Sequence, residues 1–135
     1  MIKTYIQPKY QDFHLEGILH VSPKEAFEDI QKQQAVLVDV RETHEVNRRE
    51  VDLPGVLYHP MSVIMDRLVY IPSDRPVYVI CEEGIRSAKI ANLLKLQGFE
   101  EAANVDGGLS AWIASGLPCK EKEHGNCSSC GCGCS

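Results

Sequence analysis

The sequence predicts an α/β fold built on a mostly parallel sheet. Short apolar runs of strand length alternate along the chain with segments whose apolar residues recur at helical spacing. The strongest strand candidates are apolar at nearly every position, as expected when helices cover both faces of a sheet. Strand–helix–strand connections in such a sheet are right-handed. A chain of 135 residues suffices for one domain with a single core and no covalent staples.

Residues 1–16 form a polar extension with scattered aromatics, suited to strap across a domain. Ser22-Pro23-Lys24-Glu25 combines an N-cap, a proline at the first helical position and a capping-box glutamate. A helix therefore runs to about Gln33, with Ala26, Phe27 and Ile30 at helical spacing. Ala35-Val36-Leu37-Val38-Asp39-Val40 is a strand, and Glu42 to Arg49 reads as a short polar helix. A short strand is expected around Val56-Leu57-Tyr58, then a helix capped by Ser62 and running through Val69. Asp74-Arg75-Pro76 turns the chain into a strand over Val77-Tyr78-Val79-Ile80.

Ser87 opens an amphipathic helix to Gln97, with Ile90, Leu93, Leu94 and Leu96 apolar and Gly98 as its C-cap. Ala102-Ala103-Asn104-Val105 is the next strand, and Leu109 to Ser115 the last helix, ended by Gly116. Beyond Pro118 the chain turns charged, and Gly125 to Ser135 contains only Gly, Asn, Cys and Ser, from which no core can be built. The expected organisation is an extension over 1–16, a domain over 17–118 and a Cys-rich tail over 119–135.

Fourteen basic against nineteen acidic residues leave a net charge of −5, which argues against nucleic acid or an anionic membrane as partner. The first ten residues lack the apolar core of a signal peptide, and no stretch approaches the ~20 apolar residues of a membrane span. The expected location is the cytoplasm. Six cysteines in a short chain can mark a secreted disulfide scaffold. Here four of the six (Cys127, Cys130, Cys132, Cys134) fall in the last nine residues, which is not how a disulfide framework is distributed.

The chemistry gathers in Val77-Tyr78-Val79-Ile80-Cys81-Glu82-Glu83-Gly84-Ile85-Arg86-Ser87. A buried strand delivers Cys81 to a loop containing one glycine and closing on Arg86 at the start of a helix. Amides of such a loop (Glu82, Glu83, Gly84, Ile85, Arg86 and Ser87) can turn inward to form an anion nest, and the helix N-terminus adds positive potential. Sulfur held there is favoured as the nucleophilic thiolate. Four residues separate Cys81 from Arg86. Cysteine phosphatases space the same parts by five, and the tighter ring suits one extra sulfur better than a tetrahedral oxyanion. Alone, Cys-x4-Arg also fits a buried structural cysteine beside a helix cap.

Further segments carry a resemblance. Val36-Leu37-Val38-Asp39-Val40-Arg41-Glu42 resembles the strand-Asp-x-Arg motif of rhodanese-like sulfurtransferases, and Leu53-Pro54-Gly55-Val56-Leu57-Tyr58-His59-Pro60 matches their Pro-Gly-x-x-hydrophobic stretch. Val105-Asp106-Gly107-Gly108-Leu109-Ser110-Ala111-Trp112 is similar to their closing Gly-Gly-x-x-x-Trp segment. The resemblance runs from about Gly17 to Leu117. It implies a three-layer α/β/α domain with a roughly five-stranded central sheet. It also implies a sulfurtransferase that takes sulfane sulfur from a donor as a persulfide on Cys81 and passes it to a thiol, a protein thiol included, or to cyanide. Arg86 then holds the loop and adds positive potential, Asp39 and Arg41 brace the neighbouring loop, Trp112 belongs to the core, and no cofactor is required.

One departure bears on the donor. Family members that use thiosulfate well commonly carry a basic residue directly after the cysteine, where this chain has Glu82 and Glu83. Carboxylates within about 10 Å, near one Debye length, oppose a dianion; solvated on the loop rim they do nothing. The alternatives to a sulfurtransferase are a cysteine phosphatase or arsenate reductase, and a non-enzymatic module that binds a partner or carries metal or sulfur on its tail. Cys127, Cys130, Cys132 and Cys134 lie outside the family pattern. Their thiols suit Zn or Cu(I), or acceptance of sulfur from Cys81, or have no role.

Overall fold

The computed structural model describes residues 4–121. The strands are β1 (Thr4–Tyr5), β2 (Leu19–Val21), β3 (Val36–Asp39), β4 (Arg49–Val51), β5 (Leu57–Tyr58), β6 (Val77–Ile80), β7 (Ala102–Val105) and β8 (Cys119–Glu121). The helices are α1 (Pro23–Gln31), α2 (Thr43–Val46), α3 (Ile85–Leu96) and α4 (Gly108–Ala114). The main sheet runs β1-β2-β7-β6-β3-β5. Its last five strands are parallel, and β1 adds an antiparallel edge. The expected α/β architecture with a mostly parallel sheet is thus present, with a sixth strand from the N-terminal extension and a separate β4–β8 ribbon.

Period-two alternation divides the core into two layers. Val77, Val79 and Cys81 face one way and pack with Val38, Val40, Ile64 and the α3 residues Ala88, Ala91 and Leu94. Tyr78 and Ile80 face the other way, with Leu37, Ala26 of α1, and Leu109 and Trp112 of α4. Covering both faces explains the unbroken apolar runs of β6 and β3. Among the described residues no helix is long and apolar enough to cross a membrane.

Several expected elements differ. The polar helix stops at Val46, because Arg49–Val51 pairs antiparallel with Cys119–Glu121 as a ribbon. Cys119, assigned to the tail by composition, therefore begins a strand. The helix expected from Ser62 to Val69 is two 3-10 turns, Ile64–Asp66 and Leu68–Tyr70. β-branched Val63, Ile64, Val69 and Ile71 weaken it and Pro72 forbids its continuation. Ser62 does not cap it; its amide and hydroxyl both donate to Glu42. α3 begins two residues earlier than expected, with Gly84 as N-cap at φ 92°.

Candidate active site

Three parallel strands end together: Asp39 closes β3, Cys81 follows β6 and Asp106 follows β7. Their C-terminal edge is where open α/β sheets place ligands. Cys81 is 1% exposed. The Gly84 amide donates to its Sγ at 3.1 Å and the Ser87 amide at 3.2 Å, with Ser87 Oγ also 3.2 Å away. Both amides sit at the N-terminal end of α3, so its positive pole meets the sulfur. Ser87 is thus a buried ligand of the sulfur in the first turn rather than the helix cap that its position suggested.

The loop is held from three sides. From below, Leu109 and Ser110 at the start of α4 donate their amides to the carbonyls of Cys81 (2.8 Å) and Glu82 (3.0 Å). This is the physical content of the Gly107-Gly108 pair. A side chain at Gly108 would stand 2.7 Å from the Cys81 carbonyl oxygen and the Gly84 nitrogen, at a φ of +64°.

From the second side comes a charged clamp. Arg41, buried, grips the Asp39 carboxylate through Nε and Nη2 (2.9–3.2 Å) and donates Nη1 to Glu82 at 2.9 Å. Its Nη2 also reaches the Arg49 carbonyl at 2.9 Å, and Arg49 Nη2 stands 3.4 Å from the other Glu82 oxygen. Asp39 and Arg41 therefore reach the loop through Glu82. Glu82 faces two guanidiniums, a pairing absent from both sequence readings of this carboxylate, while Glu83 and Ile85 are exposed at the rim. Arg86 reaches outward and makes a bidentate pair with Glu45 of α2 at 2.7 and 2.8 Å. It therefore ties the end of the loop to α2. That hydrogen bonding takes the Glu45 carboxyl down to about 2.

The third side is the strap. Asp106 accepts Tyr5 Oη (2.7 Å) and the amides of Lys9 (2.7 Å) and Tyr10 (3.0 Å), drawing residues 5–10 over the end of β7. Gln11 then meets the loop: Nε2 donates to the Gly84 carbonyl (3.0 Å) and the Phe13 carbonyl (2.8 Å). Its Oε1 accepts from the Gly107 amide (2.7 Å) and Asn104 Nδ2 (3.0 Å).

A buried polar chain leads away from the nucleophile. Ser87 Oγ donates to Asn104 Oδ1, Asn104 Nδ2 lies 3.1 Å from His20 Nδ1, and His20 Nε2 lies 2.9 Å from His14 Nδ1. Because Asn104 Nδ2 is a donor, His20 Nδ1 must accept, which places the neutral ring's proton on Nε2. Burial lowers the His20 pKa, and His14 adds to this against the opposing pull of Asp106.

Sequence reasoning missed Glu45, Arg49, Gln11 and His20, which join the site through Arg86, Glu82, Gly84 and Asn104, all distant in the chain. Asn104 was missed as well, although an amide inside an apolar strand must find buried partners and that signal could have found it. Cys127, Cys130, Cys132 and Cys134 lie outside the described residues. Among the described residues, no three His, Cys, Asp or Glu side chains gather as a metal site.

Comparison with known proteins places the fold among known ones. The rhodanese-like domain matches residues 22–115. Thiosulfate sulfurtransferase GlpE of Glaesserella parasuis is 34% identical over 104 residues, covering 76% of this chain and 94% of that protein. A rhodanese-related protein from Thermoplasma volcanium superposes with a TM-score of 0.66 at 26% identity, over 74% of this chain and 95% of its own. The polysulfide-sulfur transferase homodimer from Wolinella succinogenes gives a TM-score of 0.69 at 26% identity, over 81% and 82%.

Proposed function

The chain belongs to the rhodanese-like domain family, and from that premise we propose that it is a sulfurtransferase whose Cys81 carries the transferred sulfur as a persulfide. The observation behind this reading is the convergence of the Gly84 and Ser87 amides on one sulfur atom. Donors aimed at a single atom stabilise charge as it develops there, without reorganisation during the reaction.

The Cys81 thiolate attacks the outer sulfur of a sulfane-sulfur donor. A bond forms between the two sulfurs, the donor's own bond to that sulfur breaks, and its electron pair departs with the leaving group. An acceptor thiolate or cyanide then attacks the outer sulfur and Cys81 leaves as thiolate. This splits the transfer into two displacements through a covalent intermediate. Arg86, locked to Glu45, contributes positive potential at the far end of the loop. The loop of six residues from Cys81 to Arg86 is one shorter than a phosphatase loop, which favours sulfur over phosphoryl as cargo.

Thiosulfate, the substrate named for the Glaesserella relative, is the donor to test first. Glu82 is matched by Arg41 and Arg49, so Glu83 is the carboxylate left to oppose a dianion. Transfer from thiosulfate to cyanide should be measurable in the wild type and abolished in Cys81→Ala, with unchanged circular dichroism. Transfer by the Ala variant at the wild-type rate would overturn the assignment.

A further inference from the structure

A serine hydroxyl carries one hydrogen, so the bond it gives to one neighbour decides what it offers to the next. Ser87 Oγ stands between Asn104 Oδ1, to which it donates, and Cys81 Sγ at 3.2 Å. Ser87 and Asn104 are fully buried and Cys81 nearly so. A buried network of this kind takes its direction from whatever fixed groups it ends on. Here those groups are the backbone.

Gln11 is anchored first. Its Oε1 faces the Gly107 amide (2.7 Å), which can only donate, and its Nε2 faces the carbonyls of Phe13 (2.8 Å) and Gly84 (3.0 Å), which can only accept. The Gln11 amide therefore has one orientation. Its Oε1 calls for a second donor, so Asn104 turns Nδ2 toward Gln11 at 3.0 Å and toward His20 Nδ1 at 3.1 Å. That leaves Asn104 Oδ1 for Ser87. The Ser87 hydrogen is spent there, and a lone pair of Oγ faces the sulfur. The Gly84 and Ser87 amides already donate to Sγ. A protonated sulfur completes the set, with its S–H directed at Ser87 Oγ.

We infer that Asn104 is a positioning residue for the nucleophile: by holding the Ser87 hydrogen it makes Ser87 Oγ the acceptor of the Cys81 thiol, and the hydroxyl turns to the sulfur once the thiol is ionised. The inference rests on the reading of Cys81 as the nucleophile. A base from solvent takes the thiol proton, and the electron pair of that bond stays on Sγ for attack on a donor. A lone pair of Oγ 3.2 Å from a thiolate is repelled. The hydroxyl therefore rotates about its C–O bond, leaves Asn104 Oδ1 and gives the sulfur a third donor beside the two amides. Ionisation thus costs the Ser87–Asn104 bond. Asn104 favours the resting thiol, and Ser87 serves both states of the sulfur. The charges of the loop are matched elsewhere, Glu82 by Arg41 and Arg86 by Glu45.

The test uses the full-length protein with Cys119 and the four tail cysteines changed to Ser, so that Cys81 is its one thiol. At pH 7 its S–H stretching band, read by Raman scattering, should sit at the low frequency of a thiol donating to oxygen and move up in Ser87→Ala. No band at pH 7, or a band that Ser87→Ala leaves in place, overturns the inference without any change at Asn104. Alkylation by iodoacetamide at pH 7 reads the thiolate. Asn104→Leu frees the Ser87 hydroxyl and should speed alkylation of Cys81 about two- to tenfold, the worth of one neutral hydrogen bond. In a Ser87→Ala background the same change should have no effect. Equal acceleration in both backgrounds would assign it to a looser fold, and no acceleration in either would take Asn104 out of the balance; each result contradicts the inference. Asn104→Asp, which keeps an acceptor toward Ser87, should not accelerate alkylation, and acceleration by it would contradict the inference as well. Neither readout involves sulfur transfer, so a protein that meets both yet takes up no sulfur refutes the persulfide reading alone.

Discussion

Glu82 carries the largest change of meaning between sequence and structure. By position it is a carboxylate beside a nucleophile; in the fold it accepts from Arg41 and lies against Arg49. Glu82→Arg, which charge alone recommends for attracting thiosulfate, would crowd three guanidiniums and unlatch the loop. The informative change is at exposed Glu83. Glu83→Lys should lower the KM for thiosulfate about two- to fivefold at low salt, with the gain vanishing as ionic strength rises. An unchanged KM at low salt would put Glu83 off the donor's path. Ser87→Ala removes a contact to the sulfur and leaves Asn104 Oδ1 without its Ser87 donor. It should cost about 1–3 kcal/mol of stability, read as a lower urea midpoint, and should also slow persulfide formation. Cys81 and its loop were legible because a cysteine closing an apolar strand before Gly and Arg is a local pattern. The role of Ser87 was not, because it depends on Asn104 across the β6–β7 boundary.

At the level of elements, the loop is fastened to α2 by Arg86–Glu45 and to the strap by Gln11. Glu45 titrates far below an ordinary carboxyl, to about 2, through its hydrogen bonds with Arg86. A carboxyl whose folded pKa is depressed stabilises the fold above its unfolded pKa and loses that contribution as pH falls through the folded one. Wild type should therefore be more stable than Glu45→Gln at pH 7, and the difference should shrink between about pH 4.5 and pH 2. Chemical denaturation of both proteins across that range checks it. Gln11→Ala removes four hydrogen bonds, to Gly84 of the loop, Phe13, Asn104 and Gly107. Its kcat should fall by more than its stability explains, because Gly84, which donates to the sulfur, loses its brace. Equal kcat would make the strap an ornament of the edge strand. The α/β order was readable from capping residues and unbroken apolar runs. β4 escaped because a three-residue strand exists only through its partner, and the 3-10 turns escaped because helical spacing outweighed four β-branched residues.

Across the whole molecule, three strand ends, one helix N-terminus and two terminal segments converge on a single buried sulfur. The two-sided core that fixes this edge was legible, since residues apolar on both faces of a strand demand helices on both sides. The sequence suited residues 1–16 to strap across the domain, but where the terminal segments dock was not legible, because Asp106 with Lys9 and Tyr10, and Arg49 with Glu121, are pairings of distant residues. The central claim is that the convergence makes Cys81 the carrier of one transferable sulfur. It is tested most directly by intact mass after brief exposure to thiosulfate, in a background with the four tail cysteines changed to Ser. The protein retaining Cys81 should gain the mass of one sulfur atom and lose it on adding cyanide, while the same protein with Cys81→Ala gains none. Equal uptake by the Cys81→Ala protein would contradict the account.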